Sequence, residues 1–508
     1  DEPESPPRPK EGIEYMKQPV ERKLAVVLLV LFMAARAGAQ TRTNDLNHFF
    51  SALSQNRQFN GNVLVAENGN IIYEKSFGYA DYPSRIPNTK DTLFPLASIS
   101  KTLTATAILQ LIDKGMLRLT DQVVKYLPDF PFPAITIMHL LSHTSGLPSY
   151  NAFFDSEREA HPEKVFANAD FIPGLLAHPK PLLYQPGEHG NYDNVNYIVL
   201  ALVLEKVSGR SFRDYVVTHI LRPAGMKETL LVPFSIQFDP LKKKDKHMAI
   251  PHWYPHDYSD EPLRADKMPY VSSYWHAYEF TGFGDYISTT RDLLRYDQAL
   301  YDGRLLSEAV LKEAFTPVKL NNGNENPGRY GLGWEVERDA SLGKIVYHGG
   351  NAIGLSCVFS RNITNHQTVI VFDIGRDIAH SAANSAFKIL NGRQVSYPAK
   401  SIARIYGNVL AGEGPDAARN TLERLRKDSV HYELNEDEFN TLGYDFLGDN
   451  NPYHMPMEHK YAEALEVFNL NIELFPGSWN VYDSCGEALL KLGKKQEAIR
   501  MYQKSLAL

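Results

Sequence analysis

The sequence predicts a mixed α/β (α+β) fold, a sheet with helices packed on it, followed by a C-terminal helical-repeat region. Three observations carry this. Strand-like segments sit on both sides of a helical middle, which brings distant parts of the chain into one sheet. From about Ser396 the pattern becomes helical only, and Ala464 and Phe468 recur in kind as Ala498 and Tyr502, a spacing of about 34 residues. At 508 residues the chain exceeds one ordinary core, so one large and one smaller domain are expected.

Taken in order, residues 1–15 form a Pro- and Glu-rich extension with no assignment. Residues 16–39 have the layout of a secretory signal: a basic start at Lys17, Arg22 and Lys23, an apolar run from Leu24 to Ala35, and the small residues Ala37-Gly38-Ala39 before Gln40. The apolar run is too short for a permanent anchor, so the reading is an exported protein, periplasmic or secreted. A large domain is expected over 46–395. It opens with a β-hairpin, Gly61 to Ala66 and Ile71 to Glu74, around an Asn68-Gly69 turn. A helix follows from Ser98 to Lys114, with an apolar stripe of Leu103, Ala107, Ile108 and Leu111 and a stop at Gly115. Helices are predicted at Ile137 to Ser142, Val195 to Val207 and Arg291 to Leu300. Strands are predicted at Tyr330 to Val336, Lys344 to Tyr347, Leu355 to Phe359 and Thr368 to Phe372. Residues 396–508 read as a helical, tetratricopeptide-like region, with Val481 to Ala488 as the first helix of one unit. Leu442-Gly443-Tyr444 reads as an earlier copy, displaced by an insertion around Asn450 to His459. So few repeats are expected to dock on the large domain or stack on helices at 400–428.

Composition excludes several classes. With 43% hydrophobic and 22% charged residues the chain has material for a large core, and a net charge of −7 leaves no basic excess for nucleic acid. Cys357 and Cys485 fall in different domains, and neither is surrounded by metal-ligand spacing. Both read as buried small hydrophobes, and no cofactor or metal is implied.

Ser98-Ile99-Ser100-Lys101 places a hydroxyl and an amine one helical turn apart, on one face. A serine hydroxyl reacts only when a neighbour takes its proton, and a desolvated lysine amine of depressed pKa can do so. Such a spacing arises about once or twice by chance in a chain of this composition, and Ser341/Lys344 and Ser385/Lys388 repeat it. Ser98 is set apart by the tight approach Phe94-Pro95-Leu96-Ala97 and the apolar helix behind it. The second element is Tyr192-Asp193-Asn194, before the helix at 195; Tyr406/Asn408 shares its spacing. A phenol coupled to a lysine can move protons, and an asparagine amide can orient that lysine and bind an acyl amide. The third is His348-Gly349-Gly350 at a strand end, where glycines let a substrate lie against the strand edge and the imidazole offers a polar or partly cationic contact.

These elements, in this order and spacing, resemble the class C β-lactamase-like serine hydrolases, a group similar to penicillin-binding proteins, D-alanyl-D-alanine carboxypeptidases and β-lactamase-like esterases. Leu140-Leu141-Ser142-His143-Thr144-Ser145-Gly146-Leu147-Pro148, Tyr330-Gly331-Leu332-Gly333-Trp334 and Ser288-Thr289-Thr290-Arg291-Asp292-Leu293 also resemble segments of that group, over Leu46 to Leu390. The resemblance implies a β-lactamase/transpeptidase-like fold, with an antiparallel sheet flanked by helices. It further implies that Ser98 is acylated, that Lys101 and Tyr192 shuttle protons, and that Asn194 positions Lys101 and substrate. The backbone N–H groups of Ser98 and Asn351 would form the oxyanion hole, with His348, Gly349 and Gly350 along the substrate. His348 stands where a lysine of Lys-Thr-Gly is usual, which turns the expectation from β-lactams toward a peptidase or esterase. The stretches Tyr150 to Lys180 and Trp253 to Tyr278 are expected to line the pocket.

Two readings follow. One is a serine hydrolase that forms an acyl-enzyme on a small amide or ester: a β-lactam, a D-Ala-D-Ala-type peptide or a short-chain carboxylic ester. The other is a binding protein whose hydrolase-like domain captures a ligand while the repeats recruit a protein partner. An intact Ser98, Lys101 and Tyr192 set favours the first, because binding alone does not require all three.

Overall fold

The computed structural model describes residues 40–232, 248–268, 277–449 and 458–508. The signal-like segment, part of the insertion after Asn450 and part of the aromatic stretch before Tyr278 lie outside these residues. Among the described residues no helix is long and apolar enough to cross a membrane.

Helix α1 (40–55) precedes the hairpin of β1 (Gly61–Glu67) and β2 (Asn70–Phe77). Asn68 and Gly69 both take positive φ, 48° and 76°, the backbone that a two-residue turn needs to match strand twist. Helices α2 (Ser100–Asp113), α3 (Val195–Ser208) and α4 (Thr290–Tyr301) fill the middle of the chain. The remaining strands are β3 (Glu335–Asp339), β4 (Gly343–Ala352), β5 (Leu355–Asn362) and β6 (Gln367–Asp373), followed by α5 (Ala379–Leu390). The six-stranded sheet is antiparallel throughout, in the order β3-β4-β5-β6-β1-β2. β1 pairs with β6 from Gly61↔Asp373 to Glu67↔Gln367, joining segments some 300 residues apart.

Side chains alternate across this sheet with the strand period of two. Leu64, Ala66, Phe359, Ile370 and Phe372 face the large core shared with α2, α3 and α4. Val63, Val65, Val358, Val369 and Val371 face Phe49 and Phe50 of α1 and Phe387 of α5. α2 is buried on all sides from Ser100 to Leu111, Lys101 included. The sheet and these helices form the antiparallel, helix-flanked architecture expected of the fold class.

Three local expectations are corrected. The strand predicted at Tyr330 starts only at Glu335, because Gly331 packs against the backbone carbonyl of Ala314 and Gly333 takes φ 89°, which closes a turn. The strand predicted to end at Tyr347 continues to Ala352, so His348-Gly349-Gly350 lies within β4 and not beyond it. The tail, read as helix only, also carries a two-residue parallel pairing of Lys400–Ser401 with Tyr432–Glu433.

The tail comprises α6 (Ile402–Glu413), α7 (Pro415–Leu425), α8 (Glu436–Leu447), α9 (Tyr461–Leu474), α10 (Trp479–Lys491) and α11 (Lys495–Ala507), around its own core. It meets the sheet domain through Tyr258, whose ring stacks on Phe446 at 4.7 Å and whose carbonyl accepts from the Asn408 amide.

Candidate active site

The backbone entering α2 is shaped before any chemistry begins. Leu96 N–H donates to the Tyr286 carbonyl, and Ala97 takes φ 43°, a left-handed conformation that costs a non-glycine residue about 1–2 kcal/mol. The chain then turns through a short 3₁₀ segment, Ala97–Ile99, into α2. Ser98 is left part-exposed at the helix start, while Lys101, one turn on, is fully buried.

Lys101 Nζ has three partners: Ser98 Oγ at 2.8 Å, Asn194 Oδ1 at 2.8 Å and the Phe283 carbonyl at 3.3 Å. Asn194 is the N-cap residue of α3, yet its side chain makes no cap hydrogen bond; Asp193 accepts from Val195 N–H instead, and the amide is free to face the lysine. Burial pushes the Lys101 pKa well below the ordinary 10.5, against the opposing fields of Asp193 and Asp285. A neutral amine suits these partners. Its two N–H groups serve the two obligate acceptors, Asn194 Oδ1 and the Phe283 carbonyl, and its lone pair faces the Ser98 hydroxyl, which then donates to it.

Tyr192 closes the other side. Its ring lies 4.7 Å from Lys101 Nζ and 4.3 Å from the His143 ring. By area the residue is 47% exposed, but its hydroxyl sits among protein atoms. Desolvation therefore pushes its pKa well above the ordinary phenol value, and the neighbouring Ser98 hydroxyl opposes the shift. Of the two groups near 10 in water, the lysine moves down and the tyrosine up, so burial favours the neutral form of each.

β4 forms the opposite wall. β3 pairs with β4 only as far as Tyr347, so among the described residues the outer edge from His348 to Ala352 has no strand beside it. Gly350 packs on the nucleophile loop so tightly that a Cβ there would meet the Leu96 carbonyl at 2.3 Å and Ser98 N at 3.2 Å. Gly350→Ala should accordingly displace the Ser98 amide, cutting acylation by about tenfold or more and costing about 1–3 kcal/mol of stability, as stopped-flow acylation and denaturant melts would show. Asn351 next to it is exposed. Beneath the loop, Cys357 Sγ contacts the Leu96 and Gly350 carbonyls at 3.2 Å each, and burial raises its pKa. It packs as a small hydrophobe.

Of the two contacts expected of His348, polar or partly cationic, burial favours the polar one. His348 is 1% exposed, and Nδ1 lies 2.6 Å from the Gly349 carbonyl, which can only accept. Nε2 therefore accepts from Tyr330 Oη at 2.6 Å, and burial pushes the pKa down to about 3. His348 is a neutral group that holds Tyr330. His143, equally buried, receives Asp193 N–H at Nδ1 at 3.3 Å, lies 4.7 Å from the Tyr330 ring, and has its pKa pushed well below 6.5 by burial. Neither histidine has a hydrogen bond to Ser98.

The structure thus brings Ser98, Lys101, Tyr192, Asn194 and the β4 edge into one cleft. Sequence reasoning did not single out Phe283, whose contact is a backbone carbonyl and so leaves no mark in residue type. It also did not assign a role in the site to Asp285, a buried carboxyl pushed up to about 6 by desolvation, or to Tyr330, read as a strand start within a family-like segment. Tyr150 and Tyr278 pack with Phe280 in an aromatic wall, and Tyr150 reaches Phe283 at 6.2 Å between ring centres. Among the described residues no cluster of His, Cys, Asp or Glu could hold a metal ion.

An acylatable serine, a desolvated lysine and a tyrosine on a helix-flanked antiparallel sheet define the active-site serine hydrolases that work through an acyl-enzyme. The Beta-lactamase family model matches residues 46–387, and the chain belongs to that family. It is 32% identical to Penicillin-binding protein 4* of Bacillus subtilis (strain 168), over 86% of this chain and 91% of that protein. The fold is similar to the crystal structure of a penicillin binding protein from Bacillus halodurans, with a TM-score of 0.56 and 26% identity over 68% of this chain and 99% of the other. A D-amino acid amidase from Ochrobactrum anthropi SV3 shares the fold at a TM-score of 0.53 and 21% identity, over 68% of this chain and 97% of that one. The protein is a serine hydrolase acting on a small amide or ester.

Proposed function

We propose that Ser98 attacks the substrate carbonyl while Lys101, as the neutral amine, takes its proton, and that Tyr192 passes a proton to the leaving group. The observation that carries this is the set of three partners at Lys101 Nζ, in which only Ser98 can donate to an amine. Asn194 orients the lysine. The N–H groups of Ser98 and Asn351 receive the oxyanion. The free β4 edge suits an extended, amide-bearing substrate that adds to the sheet as a short strand, and Gly349 and Gly350 leave room for it. Neutral and buried, His348 offers no fixed cation to select a β-lactam carboxylate. The reading therefore favours peptides or amides of D-amino acids over β-lactams and short-chain esters.

Tyr192→Phe should lower single-turnover acylation or deacylation by about 10²–10⁴-fold, the usual worth of a positioned proton-transfer group. Comparing a D-Ala-D-Ala peptide, nitrocefin and p-nitrophenyl butyrate on wild type tests the substrate class: fastest turnover of nitrocefin would contradict it.

The tail supports a tetratricopeptide-like reading and a role in recruiting a protein partner. A Cβ on Gly443 would meet the Phe468 ring at 2.5 Å, and one on Gly486 would meet the Tyr502 ring at 2.9 Å, so the same glycine–aromatic contact joins α8 to α9 and α10 to α11. The signal-like layout at 16–39 supports export.

A further inference from the structure

The junction of tail and sheet domain holds a cavity of about 270 Å³, lined among others by Arg57, Arg376, Lys400, Ser401, Arg404 and Asn408. A neighbouring cavity of about 320 Å³ shares Arg376 and Arg404. The charges here do not cancel. Asp260 is engaged by Arg57 at 2.7 Å. Asp257 lies 3.5 Å from Arg376, whose Nη1 and Nη2 donate to the carbonyls of Asp257 and Ser259 at 3.1 Å each. Glu438, beside Arg404 in the second cavity, accepts from the Ser401 hydroxyl at 2.6 Å. Among the described residues no carboxylate forms an ion pair with Lys400 or Arg404.

Arg376 and Arg404 line both cavities; burial lowers the pKa of Arg376, and the charge of Arg404 adds to that shift. The Arg376 side chain is 8% exposed, and Nε of both arginines is buried without a hydrogen-bond partner. Arg376 has Asp257 and Arg404 feels the charge of Glu438, but the buried Nε of each is left without an acceptor, a cost that an anion accepting from both would remove. α6 starts at Ile402, so the positive end of a 12-residue helix and its Ser401 cap border the same space.

We propose that this cavity binds a phosphate group, free or as a monoester, between Arg376 of the sheet domain and Arg404 of the tail, and that the bound anion fastens the tail to the domain. The site is distinct from the Ser98 cleft and needs no catalysis.

Isothermal titration of the full chain with inorganic phosphate and with glycerol 3-phosphate, in chloride buffers of matched ionic strength, tests it. Wild type should bind at least one of the two saturably; phosphate alone, or the ester alone, tells which source the site takes. Arg404→Gln and the exposed Lys400→Gln should each weaken binding by about fivefold or more, while Lys495→Gln, at the far end of the tail, should leave it within about twofold. Circular dichroism confirms that each variant is folded, and Lys400→Gln serves alone if Arg404→Gln is not. No saturable binding of either ligand by wild type up to about 20 mM, or a folded variant at position 404 or 400 losing less than about fivefold, would overturn the proposal.

Discussion

Ser98→Ala is expected to abolish acylation, lowering it by about 10⁴-fold or more, because the bond that forms in the first step is to Ser98 Oγ. Folding should be unaffected. The lost oxygen is part-exposed, the void is small, and Lys101 keeps the Asn194 and Phe283 partners that hold it in place. The other Ser-x-x-Lys pairs make a sharp control. Ser341 Oγ donates to Asp339 in an exposed turn, and Ser385 lies on α5 beside the tail, so Ser341→Ala and Ser385→Ala should change turnover by less than about twofold. Burst amplitude with p-nitrophenyl butyrate or a fluorescent penicillin reads all three. A Ser98→Ala protein that kept most of its activity would remove the nucleophile from the account.

Lys101→Met should be nearly as severe, about 10³–10⁵-fold in acylation, because Ser98 then has no neutral amine to receive its proton. Its effect on stability runs the other way. The Lys101 pKa in the folded protein lies below the ordinary 10.5, so between those two values the unfolded chain binds more protons than the folded one, and stability rises with pH across that window. Near neutrality the wild type therefore bears a cost that methionine, similar in length and apolar, does not. Denaturant melts should find Lys101→Met at least as stable as wild type at pH 7, with a smaller rise in stability toward pH 10. A Lys101→Met protein whose stability rose toward pH 10 as steeply as that of wild type would mean that the lysine pKa is not depressed in its pocket.

Much of the fold could be read from periodicity and turn chemistry. The Asn68-Gly69 hairpin, the helices at 100, 195 and 290, and strands β5 and β6 carry patterns that the core then uses directly. The misreadings fall where tertiary contacts override local pattern: Tyr330 to Trp334 is strand-like in composition but bends at two glycines, and the glycines of His348-Gly349-Gly350 look like a terminus but continue a strand because β5 pairs them. At the site, Ser98, Lys101, Tyr192 and Asn194 could be singled out as candidates only by adding the family resemblance to side-chain type and spacing, since each spacing also occurs elsewhere in the chain. The competing Tyr406/Asn408 motif is resolved only in three dimensions, where Tyr406 is buried in the tail and donates to Glu466. The charge state of His348 was not legible, since it depends on burial and on Tyr330 18 residues upstream. The direction of the Lys101 and Tyr192 shifts likewise depends on desolvation, which no spacing reports.

The central claim is that Ser98 is acylated with the neutral amine of Lys101 as its base. Its most direct test is the single-turnover rate of adduct formation with a fluorophosphonate or fluorescent penicillin across pH, with the labelled residue located by peptide mass spectrometry. The account predicts one adduct, on Ser98, whose rate of formation falls on acidification with a midpoint well below 10.5, the direction set by burial of Lys101. An adduct on any other residue, or a Ser98 adduct whose rate keeps falling as pH drops from 10.5 without any plateau below it, would contradict the account.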